Sequence, residues 1–223
     1  MKNIVYIVDD HNMVRNGLKA WLENHSDWRV PKDFASSKEC LECLECISSI
    51  AGKKADSKDK GQTPVEGLIL PQIIIVDVQL INETGFALVK KIKEKWPEIK
   101  CVMYSMFDTT GFVLQAKDSG ASGYISKVAK EEELLHCLEV VQNGGTYLEQ
   151  YMLDAQNKID SIVSILSKQE RNIFEALLQE KTNKQICDEL YISSRTVENY
   201  TSRLYSKIGV KNREELIERF VRK

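Results

Sequence analysis

Five side chains in this sequence are of the kinds that handle phosphoryl groups: Asp9, Asp10, Asp77, Ser105 and Lys127. Three carboxylates brought to one place repel one another unless a cation joins them. Oxygen ligands with room for waters suit Mg²⁺, which usually takes one or two carboxylates plus phosphate oxygens. A carboxylate such as Asp77 is also a nucleophile that can accept a phosphoryl group as an acyl phosphate. A metal beside it would neutralise charge on the transferred group. A serine hydroxyl can hydrogen-bond a phosphoryl oxygen, and a lysine ammonium can meet the same group. Taken singly the signals are weak, since Asp9 and Asp10 could merely cap a helix and Asp77 could merely start a loop.

The elements expected around these residues bring them together. Ile4–Val8 is a short β-rich run ending in the two acids, and His11–Asn24 has helical spacing with Val14, Leu18, Trp21 and Leu22 on one face. Trp28–Phe34 is a weaker strand, spoiled by Pro31, and Ser36–Ile50 a helix with Ser36 or Ser37 as its cap. Ala51–Gly61 is polar and charged and reads as a mobile surface loop. Ile73–Val78 is the clearest buried strand, followed by a helix over Thr84–Trp96 that Pro97 stops. Lys100–Tyr104 and Ala121–Ser126 are strand-like. Asp108–Ser119 and Lys130–Asn143 are helical, each ending at glycine. This is β-α repeated five times, which predicts an α/β, doubly wound, five-stranded parallel sheet covered on both faces. Such sheets carry their sites at the carboxyl ends of the strands, where Asp9, Asp10, Asp77 and Ser105 all fall.

Beyond Tyr147–Ile165, which reads as a linker with some helix, no strand is expected. Ser167–Glu180, Asn183–Leu190, Ser194–Ile208 and Arg213–Val221 read as four helices, with Tyr191-Ile192-Ser193 as a turn between the middle two. Ile186 and Leu190 pack one side of the second helix, and Val197, Leu204 and Ile208 mark the buried side of the third. Ser193 or Ser194 caps that third helix. This is a helix-turn-helix, whose second helix enters a DNA major groove. Its other face offers Arg195, Asn199, Ser202, Arg203 and Lys207, with Arg and Lys suited to phosphates and Asn to adenine edges.

Composition agrees. With 223 residues the chain can hold two cores. The net charge of −2 argues against coating nucleic acid along its whole length, yet residues 161–223 hold 12 basic and 9 acidic side chains. No apolar run approaches the ~18–20 residues of a membrane span, and the N-terminus reads as a strand rather than a signal peptide. The six cysteines are expected reduced. Cys40, Cys43 and Cys46, three apart, read as partly lining a helix face rather than as a metal site.

Residues 1–145 resemble a receiver domain through VDDHNMVRNGL, IIIVDV, TGFALVKKIK, VMYS and ASGYISK. Residues 166–223 resemble a LuxR-type helix-turn-helix domain through LSKQE, TNKQICDEL, ISSRTVENY and KIGV. With 146–165 as a partly helical linker, the whole is similar to the NarL/FixJ subfamily of response regulators: a flavodoxin-like receiver followed by a small all-α four-helix domain. The resemblance implies that Asp77 is the phosphoacceptor. It implies that Asp9, Asp10, Asp77 and the backbone carbonyl of Gln79 hold Mg²⁺, that Ser105 and Tyr124 form a switch, and that Lys127 contacts the phosphoryl group. On the DNA side it implies backbone contacts by Lys184, Arg195, Thr196, Tyr200 and Lys207, with Glu198, Asn199, Ser202 and Arg203 facing or bordering the bases. The implied setting is cytoplasmic and the protein not an enzyme. Its implied partners are promoter DNA, a cognate histidine kinase or a small phosphodonor, and a second copy of the chain when active.

Several positions depart from the family pattern. Asp10 and Asp77 stand 67 residues apart, Ile81 replaces a usual proline, Met106 a usual small residue, and Lys181 a frequent glycine. Two other classes compete. A haloacid-dehalogenase-type phosphatase also uses a strand-end Asp and Mg²⁺, but Asp77-Val78-Gln79 lacks that family's second acid. A receiver working without phosphate, or an adaptor whose helical tail binds protein, would keep the fold and change the role.

Overall fold

The computed structural model describes residues 3–24, 27–55, 69–106, 110–148, 153 and 161–220. They divide into two compact units, Met1–Met106 with Ala116–Leu148, and Phe107–Gln115 with Glu149–Lys223. Among the described residues no helix is long and apolar enough to cross a membrane.

The sheet is built from β1 (Asn3–Val8), β2 (Trp28–Phe34), β3 (Ile73–Val76), β6 (Lys100–Ser105), β7 (Gly123–Ser126) and β8 (Tyr147–Leu148), and β4 (Gln79–Leu80) pairs with β5 (Glu83–Thr84) in a small antiparallel hairpin. Alternating with them are α1 (Asn12–Glu23), α2 (Ser37–Ala55), α3 (Gly85–Lys95), α4 (Thr110–Ser119) and α5 (Glu131–Gln142). The strand order is β2-β1-β3-β6-β7-β8, parallel throughout. Val5–Val8 and all of β3 are buried, as continuous apolar runs require when both faces are covered. On one face Val5, Ile7, Ile73, Ile75, Val102 and Ile125 pack with Leu18 and Leu22 of α1 and Leu134, Leu138 and Val141 of α5. Tyr6, Ile74, Cys101, Met103 and Tyr124 point the other way and are equally buried.

Three expectations for this unit need correction. The sheet has six strands rather than five, because Tyr147-Leu148, placed in the linker by sequence, pairs with β7, and the Tyr147 N–H donates to the Ser122 carbonyl at 3.0 Å. Pro31 does not spoil β2. It sits on the edge strand where the β1–β2 register slips between Ile4 and Tyr6, a bulge that tolerates a residue without an N–H. Helix α2 runs on through Ala55, so the first five residues of the expected loop are helical, while 56–61 lie outside the described residues. Along α2, Cys40 is buried, Cys43 half-buried and Cys46 exposed, since a three-residue step falls short of a full turn and drifts off the core face. Burial pushes the Cys101 thiol up to about 12 and raises Cys40 as well, so both are inert.

From residue 161 on, the described residues of the second unit form helices and turns: α6 (Lys168–Leu178), α7 (Asn183–Leu190), α8 (Ser194–Ile208) and α9 (Arg213–Phe220), preceded by a helical turn at 161–163. Asp108, Val221 and most of 149–160 lie outside the described residues. Ile173, Phe174, Leu177, Ile186, Val197, Leu204, Leu216 and Phe220 form its core. Ser167 and Thr182 start α6 and α7 with reciprocal capping boxes to Glu170 and Gln185. The residue in left-handed conformation after α6 is Glu180, at φ 55°, and not Lys181. The conformational demand that glycine would meet falls one position earlier than the sequence comparison placed it.

Candidate functional site

Strand pairing brings the acids to one rim. The Asp9 N–H donates to the Phe34 carbonyl at 3.1 Å and the Asp77 N–H to the Val8 carbonyl at 2.8 Å, so both leave the sheet at neighbouring strand ends. The Lys127 N–H donates to the Ser105 carbonyl at 2.8 Å. The Lys127 ammonium then reaches across the rim, 2.7 Å from Asp9 Oδ2 and 2.8 Å from Asp77 Oδ2. The side chains of Asp9 and Asp77 are only 3% and 6% exposed. Burial raises the Asp77 pKa above its ordinary value, against the lowering effect of Lys127 and with the help of the Asp9 charge. Burial alone would lower Lys127, but its hydrogen bonds to the two carboxylates raise it overall. The ammonium thus stays charged and joins two carboxylates that would otherwise repel.

Asp10 and His11 complete the rim. Asp10 Oδ1 is buried without a hydrogen-bond donor, and His11 Nδ1 lies 2.8 Å from it, 3.4 Å from Asp9 Oδ1 and 4.0 Å from Asp77 Oδ2. One ligand atom from each of Asp9, Asp10, His11 and Asp77 lies within 4.8 Å of the others. Three carboxylates, one with an orphaned buried oxygen, fit a divalent cation. His11 was missed from sequence because it read as the first residue of α1. Gly85 was quoted only as part of a motif, but an added Cβ there would stand 2.0 Å from the Asp77 carbonyl oxygen. The Gln79 N–H lies 3.4 Å from Asp77 Oδ1, and Gln79 pairs with Thr84 in the hairpin.

Ser105 is fully buried and in register with Ser126, and Tyr124 is in register with Met103 on the same face. Tyr124 is 1% exposed. Met106, next after Ser105, is 62% exposed.

In the helical unit, Ser193 caps α8 by accepting from the Thr196 N–H, and Val197, Leu204 and Ile208 turn inward. Arg195, Glu198, Asn199, Ser202 and Arg203 are exposed on the outer side, and Lys184 is exposed near the start of α7. Thr196 and Tyr200 are half-buried. The Thr196 hydroxyl is 2.8 Å from that of Ser193, and the Arg203 guanidinium lies 6.0 Å over the Tyr200 ring. The Lys207 ammonium, on a side chain 43% exposed, is 2.7 Å from Glu170 Oε2. Glu170 is 4% exposed, and the Lys207 hydrogen bond, joined by those of Ser167, holds its pKa down to about 2. This pair ties α8 to the cap of α6.

The chain is similar to known proteins in both its N-terminal and C-terminal parts. Residues 52–139 match the family described as response regulator receiver domain, and residues 164–220 match bacterial regulatory proteins, luxR family. The chain belongs to the response regulators that join a receiver domain to a LuxR-type DNA-binding domain. It is similar to the oxygen regulatory protein NreC of Staphylococcus aureus strains JH9 and JH1, 28% identical over 233 residues that cover 98% of this chain and 97% of that protein. In fold it resembles a structure of two RcsB dimers bound to two parallel DNAs, with TM-score 0.64 and 19% identity over 98% of this chain and 97% of that one. The same values hold for RcsB of Salmonella enterica serovar Typhimurium bound to promoter P1flhDC with the phosphomimetic BeF3−.

Proposed function

We propose that this response regulator is a cytoplasmic transcription regulator whose DNA binding is controlled by phosphorylation of Asp77. An Asp77 carboxylate oxygen attacks the phosphorus of a phosphohistidine on a cognate kinase, or of a small acyl phosphate. The bond from phosphorus to the leaving group breaks, and an acyl phosphate remains on Asp77. Asp9, Asp10, Asp77 and the Gln79 carbonyl would hold Mg²⁺, which when bound would supply charge neutralisation at the transferred group. Lys127 leaves its bridge to meet the new phosphoryl oxygens, and Ser105 donates its hydroxyl to one of them. The change biases a two-state equilibrium of the rim and of the Ser105–Tyr124 face beside it. Two chains then present two α8 helices to two half-sites on promoter DNA, and joining weak sites raises affinity through effective concentration. In this reading residues 1–145 receive the signal, 146–165 link, and 166–223 bind DNA. Contacts run through Lys184, Arg195, Thr196, Glu198, Asn199, Tyr200, Ser202, Arg203 and Lys207.

The observation that carries the reading is the buried Asp77 carboxylate, held 2.8 Å from Lys127 at a strand end beside two further acids. The burial of Tyr124, only 1% exposed, favours a second reading, a receiver whose DNA-binding form exists without phosphate. One experiment separates them: binding of the full chain to a selected pool of DNA fragments, with and without acetyl phosphate and Mg²⁺, beside Asp77→Ala. Tighter selective binding only by the phosphorylated wild type supports the first reading. Equal selective binding in every sample supports the second, and no selective binding refutes both.

A further inference from the structure

Histidine is a poor residue for the position that His11 holds. It is the N-cap of α1, at φ −85° and ψ 104°, and its side chain caps nothing. Ser, Thr, Asp or Asn there would satisfy a free helix N–H. Instead the His11 backbone N–H donates to Asp9 Oδ1 at 2.7 Å, and the ring turns over the acid rim. The 2.8 Å contact between Nδ1 and Asp10 Oδ1 is not aligned as a hydrogen bond, since that oxygen is left without a donor. With a neutral ring protonated on Nε2, Nδ1 and Asp10 Oδ1 would be two lone-pair atoms at a spacing that suits neighbouring ligands of one ion. At metal–ligand distances of about 2.0–2.1 Å the donors of a tetrahedral site stand roughly 3.3–3.4 Å apart, within small side-chain adjustments of the 2.8, 3.4 and 4.0 Å that separate Nδ1 from Asp10, Asp9 and Asp77.

We propose that His11 Nδ1 is a metal ligand, and that it makes the rim a site for a borderline transition-metal ion such as Zn²⁺ as well as for Mg²⁺. The proposal rests on the reading of the rim as a cation site. Imidazole suits Zn²⁺, whereas Mg²⁺ prefers carboxylate and water and dehydrates reluctantly. The His11 side chain is 66% exposed, so Nε2 can carry the ring proton toward water while Nδ1 keeps its lone pair for the ion. With Asp9, Asp10 and Asp77, His11 supplies four donors, enough to close a tetrahedral Zn²⁺ site. A closed site leaves no position for a phosphoryl oxygen, so Zn²⁺ competes with Mg²⁺ and opposes phosphorylation of Asp77.

The test is calorimetric titration of the full chain with ZnCl₂ and, separately, MgCl₂, in wild type, His11→Ala and His11→Gln. Zn²⁺ that Mg²⁺ displaces is counted, which sets aside ions held by the exposed Cys46. The expected result is a loss of Zn²⁺ affinity of about tenfold or more in both variants, with Mg²⁺ affinity changed by less than about twofold. Zn²⁺ should also slow phosphorylation by acetyl phosphate in wild type and do so less in His11→Ala. Unchanged Zn²⁺ affinity in the variants, or equal losses for both ions, overturns the role of His11 alone. A wild type that binds neither ion overturns the reading of the rim and this inference with it.

Discussion

Replacing Gly85 with alanine tests how the phosphoacceptor is positioned. The new Cβ would lie 2.0 Å from the Asp77 carbonyl oxygen, 2.9 Å from its carbonyl carbon and 3.0 Å from Val76 Cγ1. Ordinary contacts between such atoms lie at about 3.5 Å, so backbone must move by roughly an ångström or more. The Gly85 N–H donates to the Val78 carbonyl at 2.7 Å, and that bond stands in the path of relief. Losing it costs about 1 kcal/mol, and the remaining overpacking about 1–3 kcal/mol, so the expected destabilisation is about 2–4 kcal/mol. The chain's three tryptophans, Trp21, Trp28 and Trp96, all lie in the receiver, so their fluorescence follows that domain in the intact protein. In urea, Gly85→Ala should lower the midpoint without changing the slope, and slow phosphorylation by acetyl phosphate because Asp77 is displaced. Gly17→Ala is the matched control. Nothing lies within 4 Å of its added Cβ in the middle of α1, so it should gain about 0.5–1 kcal/mol. A Gly85→Ala protein with wild-type midpoint and phosphorylation rate would refute the reasoning.

Three further outcomes are expected. Because burial raises the Asp77 pKa, the folded receiver binds more protons than the unfolded chain between the ordinary and the raised value, and its stability falls as pH rises through that window. Asp77→Asn should therefore stabilise the metal-free receiver at neutral pH, and the gain should vanish in acid; tryptophan-monitored urea curves at both pH values check this. Glu170 has the opposite sign, its pKa held down to about 2 from 4.5, so its contribution is present above the ordinary value and lost as pH falls toward about 2. Lys207→Ala should cost the helical domain about 1–3 kcal/mol, read by circular dichroism, and a variant of wild-type stability would show the pair to be idle. Glu180→Gly relieves a left-handed residue at φ 55° and should raise the midpoint of the same domain by about 0.5–1 kcal/mol; an unchanged or lower midpoint counts against that strain.

Much of this was legible in the residues themselves. Ile4–Val8 and Ile73–Val76 are unbroken apolar runs, and the acids that follow them mark the strand ends. Val197, Leu204 and Ile208 recur at helical spacing, so the buried side of α8 and its exposed opposite face followed together. What escaped depends on distance in space. β8 is two residues long, too short for any period to show. Pro31 looks disruptive until its strand is known to be an edge. AGKKA reads as loop by charge and glycine, yet its alanines and lysines favour helix once α2 is under way. The turn of His11 toward the acids, and of Lys207 toward Glu170 some 37 residues away, has no local signature.

The two rims of the receiver sheet differ from its middle. One is β2, bent at Pro31, and the other is β8, only two residues long. Among the described residues neither presents a long straight row of unpaired amides on which another strand could grow. Copies of this chain that meet are thus steered toward contacts through helices and loops, which form and release, and away from sheet-to-sheet polymerisation, which does not.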